Sequence, residues 1–193
     1  MDYYASASAG ACGIVVLEKK DRLFYYSKSK DVKAGEGKNE VVIDSDKYKE
    51  LNKIKNWRKI LSNFHTFIFV YENFRYKIIE HCFQSQKIKL VDNNIAYNFT
   101  IDSGHIIGKG DGDIARKNRK VVMLDKDKLK IWDENKHKIM KNICYEKYKQ
   151  CNEYKTILHL TQDAELWHIV IKSKYPLHTT YLGEIRDNKS INY

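Results

Sequence analysis

From Asp127 to Glu146 the chain runs through its longest helical stretch, where Ile131, Ile139, Met140 and Ile143 can line one face. A helix that is apolar on one side is stable only when other elements cover that side. The fold is therefore set by what surrounds it. Upstream, Phe67 to Tyr71 and Phe74 to Ile78 read as a hairpin about a turn at Glu72-Asn73. Ile79 to Leu90 then predicts a helix, with Ile79, Phe83 and Gln86 or Lys87 stacked on one face. Asp113 to Val121 suits a short basic helix and Glu153 to Leu160 a further one. Leu166 to Ile171 is a last apolar run, and Tyr181 to Arg186 ends the ordered chain. The sum is an α+β class: a single helix-rich domain with a small sheet.

The N-terminal part is less regular. Residues 1–13 read as a loose leader. Ile14 to Leu17 and Leu23 to Tyr26 look like a β-hairpin or two edge strands. Residues 27–40 are polar, with Gly35 and Gly37, and read as a loop; Val41 to Ile43 suits a brief strand. Asp44 or Ser45 is a candidate cap for a helix carrying Tyr48, Leu51, Ile54 and Ile60, with Trp57 between them. Residues 102–113 hold Gly104, Gly108, Gly110 and Gly112 but neither phosphate-binding glycine motif, so they read as a connection. Residues 187–193 look like a frayed tail.

At 193 residues, 42% hydrophobic and 31% charged, the chain suits one ordinary globular domain. The cysteines, Cys12, Cys82, Cys144 and Cys151, show no C-x-x-C spacing, so neither disulfides nor a metal site is expected. The N-terminus lacks a basic segment leading into an apolar one, and no apolar run approaches a membrane span. The expectation is a soluble, cytoplasmic protein with no membrane contact; its oligomeric state stays open. The net charge of +10 favours phosphates, on nucleotides or on nucleic acid. Codon bias is an equal explanation, because Lys, Ile, Asn and Tyr abound beside a single proline, Pro176.

Four segments, in order, carry a family resemblance. Phe24-Tyr-Tyr-Ser-Lys-Ser29, Leu61-Ser-Asn-Phe64, Glu80-His-Cys-Phe-Gln-Ser-Gln-Lys87 and Leu182-Gly-Glu-Ile-Arg186 resemble the motifs of NADAR (YbiA-like) proteins. Trp132 stands where that family has a tryptophan opening a long helix. The resemblance covers roughly residues 22–30 and 61–186. It implies an NADAR domain over 22–186, preceded by the leader and strand of 1–21, with an insertion at 31–60. It departs from the family at Leu61, at Lys77, and most of all across Leu166 to Pro176. Many members have an acidic residue and a W-G-D-G-G-like loop there, and no matching acid is present.

The resemblance implies an N-glycosidase that separates ribose from a nitrogen base or amine, with no cofactor and no metal. Early riboflavin-pathway intermediates are one implied substrate class. ADP-ribose on guanine in DNA is another, and a non-catalytic ADP-ribose or nucleotide reader is a third possibility. Such cleavage passes through an oxocarbenium-like sugar, which a carboxylate can stabilise while an acid protonates the departing base. Glu80 is the candidate carboxylate, although a carboxylate at a helix start also complements the helix dipole. Trp132 is a candidate for stacking on the base, or a core aromatic. Asn63 and Phe64 suit ribose hydroxyls and a pocket wall. Gln84 and Lys87 share the helix face of Glu80. His81, Lys87 and Arg119 are candidate phosphate or proton carriers. Asp163 and His168 flank the departed loop and are candidates for the missing acid–base group.

Overall fold

The computed structural model describes residues 20–169 and 175–187. The leader, the strand read at Ile14 to Leu17 and the tail from 188 onward lie outside the described residues.

A three-stranded sheet joins distant parts of the chain. Strand β1 (Arg22–Tyr25) pairs in parallel with β4 (Glu165–His168), from Arg22 opposite Glu165 to Tyr25 opposite His168. β4 pairs antiparallel with β5 (Leu177–His178). Leu23, Phe24 and Tyr25 are all buried, as a strand packed on both faces requires. Val41 makes only an isolated bridge to Arg22, so the brief strand read at 41–43 reduces to that bridge.

The hairpin forms as the sequence predicts. β2 (Phe69–Tyr71) pairs antiparallel with β3 (Phe74–Tyr76). Glu72 and Asn73 both take left-handed φ values, 48° and 68°, which matches the twist that a two-residue hairpin turn needs.

The helix read from 44 onward is broken. Asp44 does cap, accepting from Asp46 N, but it opens only a 3-10 turn over Ser45–Tyr48. A second such turn spans Leu51–Lys53. Asn56 then sits at φ 58°, interrupting the helical path before α1 (Trp57–Ile60). The region is tied down by a buried ion pair, Glu40 with Arg58, whose side chains are 0% and 3% exposed. Glu40 accepts from the backbone N–H groups of Phe24, Gly35 and Gly37 as well as from Arg58. Arg58 also donates to the carbonyls of Val32 and Lys33 and lies over Trp57.

The helices that follow are α2 (Ile79–Ile88), α3 (Asn93–Tyr97), α4 (Ile106–Lys109), α5 (Gly112–Lys117), α6 (Lys126–Gln150), α7 (Asn152–Leu160) and α8 (Thr180–Asp187). α6 packs across α2, the hairpin, α7 and α8. Its apolar seam is rotated from the one expected. Trp132, Ile143, Cys144 and Tyr148 are buried and Ile139 and Met140 pack beside them, whereas Ile131 is 48% exposed. At about 100° per residue, Trp132 falls in line with Ile139 and Ile143, and Ile131 falls off the seam. No helix among the described residues is long and apolar enough to cross a membrane.

Candidate active site

A cavity of about 220 Å³ opens where β1, the loop after α1, the start of α2, α5 and the end of β4 converge. Glu80, Asn63, Phe64 and His168 line it together, as do Arg116, Tyr26, Ser27, Ser62 and Ile169.

Its geometry begins with the turn at Ser62–His65. Ser62 Oγ accepts from Phe64 N (3.3 Å), and the Ser62 carbonyl accepts from His65 N (3.1 Å). From outside, Lys147 Nζ on α6 donates to the His65 carbonyl (2.8 Å). Glu80 N donates to the Asn63 carbonyl (3.2 Å), so the turn is joined directly to the first residues of α2. The Leu61–Phe64 and Glu80–Lys87 segments, separated in sequence, thus form one hydrogen-bonded unit. Phe64 is seated against Gly112, where an added Cβ would lie 2.4 Å from the ring. Only glycine permits that approach. The Arg116 guanidinium lies 6.0 Å from the Phe64 ring centroid and is bonded to Asp113 (2.8 Å).

Burial pushes the Glu80 carboxyl above its ordinary pKa, and the Gln84 amide together with Arg116 and Arg119 oppose the rise without cancelling it. Gln84 Nε2 donates to Glu80 Oε1 at 2.9 Å. Burial moves His168 in the opposite direction, below the ordinary histidine value, and so favours its neutral ring. The site therefore combines a carboxyl inclined to hold its proton with an imidazole inclined to be without one. Such opposed shifts are what acid–base chemistry near neutral pH uses.

The other expected residues lie elsewhere. His81 is fully buried and is not part of the cavity lining; burial lowers its pKa to about 4, and its ring nitrogens have no hydrogen-bond partner among the described residues. It packs as a neutral core group, contrary to the reading as a phosphate or proton carrier. Gln84 is buried and reaches the site through Glu80. Trp132 is 6% exposed, with its ring centroid 4.8 Å from that of Phe83, so it supports α2 without lining the cavity. Lys87 is half-buried, and burial, then Arg119 and Lys120, lower its proton affinity. Arg119 is exposed and donates to the Arg116 carbonyl. Neither cation lines the cavity. Asp163 is 69% exposed and paired with Lys47, away from the lining, so of the two candidates beside the departed loop only His168 faces Glu80's cavity.

Sequence reasoning missed Arg116, three residues before Arg119 and one turn earlier on the same helical segment. It also passed over Tyr26, Ser27 and Ser62, although each stands inside a quoted motif. Among the described residues no cluster of His, Cys, Asp and Glu has a metal-holding arrangement.

The comparisons with known proteins bear on the fold and the family. A search of curated proteins returns no match. The solved NMR structure of the E. coli protein YbiA is similar over 77% of this chain and 80% of that one, with a TM-score of 0.50 and 19% identity, a likeness of fold. The family model of the NADAR domain matches residues 47–174, which include Ser62, Asn63, Phe64, Glu80, Arg116 and His168. That match spans well over half of the sequence, and the chain belongs to the NADAR family.

Proposed function

We propose that this chain is an N-glycosidase that hydrolyses the bond between a ribose, bearing phosphate or ADP, and a nitrogen base or amine, such as a riboflavin-pathway intermediate. The observation that carries the reading is the convergence of Glu80 and His168, with opposed pKa shifts, in one cavity beside Asn63 and Arg116. As the carbon–nitrogen bond breaks, Glu80 gives its proton to the departing nitrogen and leaves a carboxylate facing the oxocarbenium-like sugar. A water oxygen bonds to the anomeric carbon, and the neutral His168 ring takes the water's proton. Asn63 holds ribose hydroxyls, Phe64 forms the wall, and Arg116 receives a phosphate. Gln84 orients Glu80, and Trp132 fixes α2 from behind. No cofactor enters these steps.

A second reading, removal of ADP-ribose from guanine in DNA, is favoured by Lys87, whose proton affinity is lowered first by burial and then by the neighbouring cations Arg119 and Lys120. A polyanion would relieve that crowding. The test is a cleavage assay of the native protein and its Glu80→Gln variant. It offers the ribosylaminopyrimidine phosphate of the riboflavin pathway and an ADP-ribosylated guanine oligonucleotide. The native protein should turn over one of them, and the variant should lose roughly 10²–10⁴-fold, the usual contribution of a positioned acid. Full activity in the variant removes Glu80 from the mechanism. Silence on both substrates, with ADP-ribose still bound, leaves a reader in place of an enzyme.

A further inference from the structure

A larger cavity, of about 450 Å³, lies beside the first and shares Tyr26 and Ile169 with it. We infer that the substrate continues past Tyr26 into this cavity, which takes a planar aromatic ring bearing an anionic group. The inference rests on the reading that the bond to be broken sits at Glu80.

Size is the first argument. The Glu80 cavity alone is smaller than the roughly 300–1,000 Å³ typical of a site that encloses a whole ligand, and the two together fall inside that range. Chemistry is the second. Tyr26 and Val32 offer apolar surface on which a ring can lie. Two buried polar side chains add donors. Ser29, 5% exposed, uses its oxygen to accept from Tyr26 N, and its hydroxyl proton has no acceptor among the described residues. Arg58, 3% exposed, places Nε and Nη2 on Glu40, Nη2 also on Lys33 and Nη1 on Val32. Of its five N–H groups, one on Nη1 has no partner among the described residues. Lys30 and Lys38 stand exposed in the lining and with Arg58 outnumber its one carboxylate, Glu36, which accepts from Lys33 N.

The cavity is also preformed. The loop that walls it is latched by Glu40 through three backbone N–H groups and Arg58, a buried arrangement that fixes shape before any ligand arrives.

The test is calorimetric titration of the full chain with AMP and, separately, with ribose 5-phosphate. Neither measurement uses turnover, so a failed cleavage assay leaves it intact. Filling the cavity with Val32→Phe should weaken AMP by at least about tenfold and leave ribose 5-phosphate within about twofold. The exposed pair Lys30→Glu with Lys38→Glu, which does not touch the core, should weaken AMP several-fold at low salt and leave adenosine unchanged. Should Val32→Phe fail to fold, the lysine pair decides alone. AMP affinity indifferent to the lysine pair, equal losses for both ligands, or no AMP binding by the native protein would each overturn the inference.

Discussion

Glu80 is a residue whose usefulness and cost have one cause. Burial raises its pKa, so between the unfolded carboxyl value of 4.5 and the higher folded value the native state holds more protons than the unfolded one. Stability contributed by this group is full below 4.5 and falls as pH rises through that window. Glu80→Gln keeps an oxygen for the Gln84 amide and removes the penalty. We expect its Tm at pH 8 to rise on the order of 2–4 °C, the shift that about 1 kcal/mol gives a chain of this size, while activity falls. Thermal unfolding at pH 5 and pH 8 checks this, and a gain that is equal at both would contradict it. Lys147 shows the converse. It has no exposed surface, and burial lowers its pKa to about 7 from 10.5. The unfolded chain holds the extra proton between those values, so this group makes stability rise as pH climbs from about 7 toward 10.5. Lys147→Met should flatten that slope, by up to a few kcal/mol across the window, and loosen the His65 turn it holds. Denaturant unfolding at pH 7 and pH 9 reads the difference. Glu80, Asn63 and Phe64 were legible because local motifs carry them. Arg116 and the burial of Lys147 were not, because helical spacing gives a face and not what will cover it.

At the scale of elements, legibility followed the range of the interaction. The hairpin is written locally: Glu72 and Asn73 supply the turn and alternation supplies the register. The pairing of β1 with β4 is not, since it joins Arg22 to Glu165 across most of the chain and no local pattern names the partner. Residues 44–60 kept helical spacing, yet Asn56 in a left-handed conformation, its N–H held by Asp31 (2.7 Å), divided them. The glycines of 102–113 read as a connection, and two of them prove to be docking points. Gly108 sits against the Thr100 carbonyl and Gly112 against Phe64. Gly112→Ala would drive a methyl group into the Phe64 ring, which must move into the cavity or push α5 away. Overpacking of this kind costs about 1–3 kcal/mol, and here the loss should extend to ligand affinity, because the displaced ring is a wall of the site. Chemical denaturation with a parallel ribose 5-phosphate titration measures both. An alanine variant that loses stability but binds normally would show that Phe64 is not a wall in solution.

For the molecule as a whole, the charge of +10 has two explanations that sequence composition leaves equal, and the structure shifts their weight. Many exposed lysines are matched by nearby acids, as Lys49 with Asp46, Lys53 with Glu50, Lys128 with Asp125 and Lys136 with Asp133. Such i,i+3 surface pairs are weak and spread the charge without aiming it. Lys87, Arg119 and Lys120 are different, because Lys87, already disfavoured as a cation by burial, is disfavoured further by the charges of Arg119 and Lys120, and Arg116, three residues before Arg119, lines the cavity. Salt dependence separates a diffuse field from an aimed one. A substrate that carries DNA along these cations should show a KM rising steeply with salt, with a log–log slope near 0.9 for each duplex phosphate neutralised, or about 0.7 for a single strand. A small nucleotide-like substrate meets Arg116 and the lysines Lys30 and Lys38 but not an extended run of phosphates, so its slope should stay well below that of a DNA-linked one. Changing Lys87 and Arg119 together to glutamine should lower the slope for the DNA-linked substrate by about two and leave that for the mononucleotide unchanged. A steep slope that survives this change would place the binding surface elsewhere on the protein and return the basic flank to mere composition.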